Sequence, residues 1–128
     1  MSQGGMFILR RWTSRIRTAD RQAYVSYIGK TGVVDYLATA GNLGCEMLLR
    51  DIGDDSTEVT TLSWWISMDA IRAFAGADVD KARYYREDDH FLLERPECVE
   101  HHEVVIEKLG LETLRASRST AEGAVGGG

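Results

Sequence analysis

The stretch Trp65-Ile66-Ser67-Met68-Asp69-Ala70-Ile71-Arg72-Ala73-Phe74-Ala75-Gly76 decides how this chain folds. Trp65 ends a run of β-forming residues. Ser67 is placed to accept a hydrogen bond from a free amide of a first helical turn, and Asp69 complements the helix dipole there. Met68, Ile71, Phe74 and Ala75 fall on one side of a helix, and Gly76 suits the position after its end. The segment reads as strand, cap, short amphipathic helix and stop.

Upstream, residues 58–65 form a strand that a polar connection, Gly53-Asp54-Asp55-Ser56, joins to a second strand at 45–52, as in a hairpin. Gly41-Asn42-Leu43-Gly44 reads as a turn, because Gly and Asn tolerate positive φ. Residues 7–17, rich in Ile, Leu, Trp and Thr, read as the first strand. A helix follows from Thr18 and Asp20 with Ala23, Tyr24, Tyr27 and Ile28 as its stripe. Gly29 and Gly32 weaken its end, and 33–40 reads as a continuation in a second helical piece. Downstream, Asp78 is a cap for a short helix through Tyr85, a helical or irregular piece covers 89–93, and Pro96 precedes a last strand at 98–106. Residues 1–5 are expected to be a flexible N-terminus, 6–108 one domain, and 109–128 a disordered tail, since composition there turns to Ala, Ser, Thr and Gly without aromatics.

The order β-α-β-β-α-β is the ferredoxin-like arrangement, an α+β fold with a four-stranded antiparallel sheet and helices on one face. Both faces of the strands carry apolar groups. Val59 and Trp65 oppose Leu62, Trp64 and Ile66; Cys45, Met47 and Leu49 oppose Leu48 and Ile52. Two helices cover one face, so the other calls for a second copy of the chain, and a homodimeric barrel is the expected assembly.

Composition narrows the function. Of 128 residues, 44% are hydrophobic and 27% charged, ordinary values for a globular domain. The net charge of -5 argues against nucleic acid. Arg10, Arg11, Arg15 and Arg17 lie in a strand that divides them between two faces. No apolar run is long enough to cross a membrane. Cys45 and Cys98 read as free thiols and small core residues, and no signal-peptide pattern begins the sequence, so the expected location is cytoplasmic.

The pattern Trp65-x-Ser67-x-x-Ala70-Ile71-x-x-Phe74-Ala75-Gly76, with Ala82-Arg83-Tyr84-Tyr85, Asp88-Asp89, Phe91-Leu92 and Val99-x-His101, resembles the antibiotic biosynthesis monooxygenase family of dimeric α+β barrels. The resemblance spans about residues 7–105. It implies oxidation of a small aromatic or polyketide-like substrate by molecular oxygen without metal or flavin. A base generates a substrate anion that reduces oxygen directly, so the protein supplies an apolar pocket, the base and donors for the anion. The alternative is a non-catalytic dimeric protein, small-molecule-binding or stress-related, whose cleft only holds a ligand.

His101 is the candidate catalytic base, because imidazole titrates near neutrality. The plainer alternative, which sequence alone favours, is a histidine tied to a backbone group or carboxylate. A one-residue slip in register would exchange it with His102. Trp65 matches the family's tryptophan and stands evenly between pocket wall and core, whereas Trp64 reads as core. Tyr84 and Tyr85 are candidates to close one end of the cleft, with packing as the commoner role of such a pair. Asn42 is a candidate donor to a ligand or simply part of its turn. Arg10 stands near the position where haem-degrading relatives carry asparagine, and is a candidate to steady negative charge. No cofactor and no metal are expected. The spacing of Asp88, Asp89, His90, His101 and His102 forms no ligand motif, and the helix after Trp65 has no axial histidine for haem.

Overall fold

The structure, a computed structural model, describes residues 7–108; the expectations for 1–5 and 109–128 lie outside them. Strands β1 (Phe7–Arg17), β2 (Asn42–Gly53), β3 (Ser56–Trp65) and β4 (Glu100–Val104) form one antiparallel sheet in the order β2-β3-β1-β4. Helices α1 (Arg21–Lys30), α2 (Gly32–Ala38) and α3 (Met68–Ala75) complete the ferredoxin-like fold, with 3-10 turns at Thr18–Asp20 and Arg86–His90.

The decisive segment folds as its residues require. The Ser67 hydroxyl accepts from the Ala70 amide at 3.1 Å, and Gly76 ends α3 with φ 94°. Asp54 and Asp55 both have positive φ, 53° and 58°, so the β2–β3 hairpin turns in the primed sense that matches strand twist. Gly41, at φ 91°, brings the start of β2 against α3: a Cβ there would lie 2.5 Å from that of Ala70.

Register assigns the two faces. Ile8, Arg10, Trp12, Ser14 and Ile16 of β1 pair with Trp65, Ser63, Thr61, Val59 and Thr57 of β3 and share the covered face. Two clusters fill it: Ile16, Tyr24, Ile28 and Val59 under α1, and Trp65, Ile71 and Phe74 under α3. Fully removing an Ile or Phe side chain from water is worth about 1.5–3 kcal/mol, so these few residues supply much of the local stability. The opposite face presents Leu9, Leu62 and Trp64 half-exposed, with Leu48 and Ile66 more so.

Five sequence expectations change. The Gly41–Gly44 stretch is a turn only at its start, because Asn42 already pairs with Trp65 and a bulge carries the chain to Gly44. The stretch 78–85 is not helical: the Val79 and Lys81 carbonyls accept from the Arg10 guanidinium, and Lys81 bridges Cys98. Those interactions hold the chain extended where a helix would use the same carbonyls internally. The last ladder is shorter than 98–106, and Cys98 is exposed rather than core. Trp64 sits on the open face, not in the core.

Candidate functional site

Between the covered face and the helices lies a cavity of about 50 Å3, lined by residues that include Arg10, Trp12, Tyr36, Phe74, Arg83 and Tyr85. Alternation along β1 aims Arg10 and Trp12 into it. Tyr36 reaches it from α2, Phe74 from α3, and the extended segment after α3 brings Arg83, Tyr84 and Tyr85 across it.

Arg10 is the central group. Only 3% exposed, it donates through Nη1 to the Val79 carbonyl at 2.6 Å and to His101 Nε2 at 3.0 Å, and through Nη2 to the Lys81 carbonyl at 3.0 Å. Its guanidinium stands 5.7 Å from the centre of the Phe74 ring. Burial lowers its pKa, opposed by Tyr36 and Asp80, yet an arginine remains charged.

Because Arg10 only donates, His101 Nε2 must accept, and the ring proton belongs on Nδ1, 3.2 Å from Asp80 Oδ1. Burial and the Arg10 charge both push the His101 pKa down, against the pull of Asp80. The result is a neutral imidazole oriented by a carboxylate, its lone pair directed at Arg10. His101 adjoins the cavity through Arg10 rather than lining it.

The other sequence candidates separate. Tyr84 and Tyr85 line the cavity, but their hydroxyls are committed within the protein. Tyr84 donates to the Pro96 carbonyl and accepts from Trp12 Nε1 at 3.1 Å; Tyr85 donates to Asp35. Burial raises the pKa of both. Trp65 is fully buried and donates to Ser63 Oγ at 2.9 Å. Ser63 also helps to oppose the rise of the Tyr36 pKa, and the Trp65 indole itself does not line the cavity. Asn42 is spent on its turn: its side chain donates to the Gly44 and Trp64 carbonyls and accepts from the Gly44 amide.

Sequence reasoning missed Tyr36 and Arg83. Burial raises the Tyr36 pKa, while Arg10 and Ser63 oppose the rise. Arg83 pairs with Asp35 at 3.4 Å and lies 4.9 Å over Phe74 and 5.5 Å over Tyr85. Its place inside Ala82-Arg83-Tyr84-Tyr85 was the available signal; Tyr36 lay in the least regular helical stretch. Asp88, 4% exposed, accepts from the Tyr27 hydroxyl at 2.8 Å and the Tyr85 amide at 2.6 Å, and so caps the second 3-10 turn. Among the described residues no three His, Cys, Asp or Glu side chains gather as a metal set.

Comparison of this geometry with solved structures finds a candidate antibiotic biosynthesis monooxygenase from Bacillus cereus, 16% identical, with TM-score 0.51 over 82% of this chain and 98% of that one. The two chains share the ferredoxin-like fold. A Nitrosomonas europaea protein of unknown function has the same fold at 14% identity, TM-score 0.53, over 81% and 92% of the two chains. A Streptomyces coelicolor monooxygenase solved with nanaomycin D is also similar, at 16% identity over 80% of this chain and 88% of that one, with a TM-score of 0.47. No family model matches the chain, and no curated protein does. No helix among the described residues is long and apolar enough to cross a membrane.

Proposed function

We propose that the protein is a cofactor-independent monooxygenase-like enzyme, acting as a cytoplasmic homodimer on a small aromatic or polyketide-like substrate with molecular oxygen. The observation that carries this reading is Arg10, a buried cation on a cavity wall with an oriented imidazole beside it. Arg10 steadies the negative charge of the substrate. When Nη1 turns from His101 to that charge, Nε2 is free to take a proton from an acidic C–H, and Asp80 stabilises the imidazolium. The carbanion passes electrons to oxygen. The oxygen–carbon bond forms as a peroxide, which loses water: one CH2 and one O2 become one C=O and one H2O.

About 50 Å3 is less than the roughly 150 Å3 that holds a benzene molecule, so an aromatic ring has to extend outside the cavity, on the side of the partly exposed Arg83 side chain. The second copy of the chain covers the apolar open face. The test is oxygen uptake with 18O2 on a panel of activated aromatic substrates. Incorporation of one labelled oxygen is expected, with His101→Ala slower by about 10²–10⁴-fold. Ligand binding without oxygen uptake by any member of the panel would replace this reading with the non-catalytic one.

A further inference from the structure

Arg10 has five N–H donors. The Val79 carbonyl and His101 Nε2 use both on Nη1, and the Lys81 carbonyl uses one on Nη2. The Nε–H and the second Nη2–H have no acceptor among the described residues. No carboxylate among them lies within ion-pair reach of this guanidinium either. Asp80, with its side chain 72% exposed, is turned to His101, and Asp35 is held by Arg83 and Tyr85. A buried cation whose hydrogen-bond acceptors are all neutral carries a desolvation cost that Asp80 offsets only in part, and unsatisfied buried donors add to it.

The cavity that Arg10 lines has the volume of one or two water molecules, at about 30 Å3 each in the liquid. A carboxylate head is of that size and supplies what is missing: one negative charge and two coplanar acceptor oxygens for two donors on one guanidinium. The aromatic walls of Trp12, Tyr36 and Phe74 exclude water around the pair.

We propose that the cavity is a socket for the carboxylate head of the ligand, seated on the Nε and Nη2 edge of Arg10, with the body of the molecule outside it on the Arg83 side. This rests on the cavity being the substrate site and adds the substrate's chemical class. The Nη1 bond to His101 is not consumed by the carboxylate.

The test is anaerobic calorimetric titration of the full chain with benzoate, benzamide and inorganic phosphate at constant ionic strength. Benzoate is expected to bind at least tenfold more tightly than benzamide or phosphate. Arg10→Gln is expected to erase that preference, and the surface variant Arg72→Gln to retain it. Should Arg10→Gln fail to fold, the Arg10 Nε–H resonance of the wild-type protein is followed by NMR, where benzoate and not benzamide is expected to shift it. Equal binding of benzoate and benzamide, phosphate binding as tightly as benzoate, or an unmoved Nε–H signal would overturn the proposal. Because no oxygen is present, benzoate selectivity without oxygen uptake in the separate assay removes the oxygenase reading alone. Oxygen uptake without carboxylate selectivity removes this proposal alone.

Discussion

The two faces of the sheet are built from alternate residues of the same strands, and both mix polar with apolar groups, the open one bearing Arg11, Thr13, Arg15, Glu58 and Thr60. The covered face buries Arg10, Ser14, Thr57, Thr61 and Ser63 among its apolar groups. The open face carries Leu9, Leu62 and Trp64 with Leu48 and Ile66. A face designed only for stability would place its polar residues outside, since a buried polar group must find a partner or cost free energy. Here the polar groups find partners: Ser14 donates to the Glu94 carbonyl at 2.7 Å, and Ser63 accepts from the Trp65 indole at 2.9 Å. The covered face thus combines a core at its ends with a polar cavity at its centre, while the open face has the composition of a surface awaiting a partner.

The comparison breaks most severely if a charge enters the open face. Trp64→Glu is expected to convert the proposed dimer wholly to monomer in native mass spectrometry, with the helical circular dichroism signal retained. A dimer that survives the change would place the interface elsewhere.

Cavity formation sharpens the contrast next. Ile16, fully buried between α1 and the sheet, is expected to cost about 2–5 kcal/mol as Ile16→Ala in urea unfolding. Leu48→Ala on the open face is expected to cost under about 1 kcal/mol, because part of that side chain already meets water. Equal losses would show that both faces are equally buried in solution.

The smallest effect concerns His101. Its pKa lies below the ordinary histidine value in the folded protein, so folding favours the neutral ring. The associated stability is fully present above about pH 6.5, the unfolded value, and is lost as pH falls through the lowered folded value. The groups facing it are Arg10, Asp80 and His102; the first and last disfavour the proton and Asp80 favours it. His101→Gln is expected to flatten the decline of Tm below pH 6.5 relative to wild type, by a few degrees at most. An unchanged profile would mean that another group titrates there.

Much of the fold was legible because its signals are local. Ser67, Asp69 and Gly76 mark the ends of α3 through hydrogen bonds and φ preferences that operate within a few residues, and alternation separated Val59 and Trp65 from Leu62 and Trp64 before any register was known. The site was legible only in part. Arg10, Tyr84 and Tyr85 do line the cavity, and His101 stands one hydrogen bond from it. Nothing local says that Arg83 crosses Phe74, or that Tyr36 approaches Arg10, since those groups are separated by long stretches of chain. The misread helix at 78–85 has the same origin: the carbonyls that Arg10 captures belong to residues about 70 positions away.

From its sequence alone, then, the chain determined the order of its elements, their caps and which residues share a strand face, because backbone sterics and periodicity act over short separations. Only the tertiary structure decided that Arg10 is buried without a carboxylate partner among the described residues, that the lone pair of His101 is turned to it, and that the Trp65 indole is bonded to Ser63. Those outcomes depend on desolvation and long-range contacts, which exist only once sheet and helices enclose the same space.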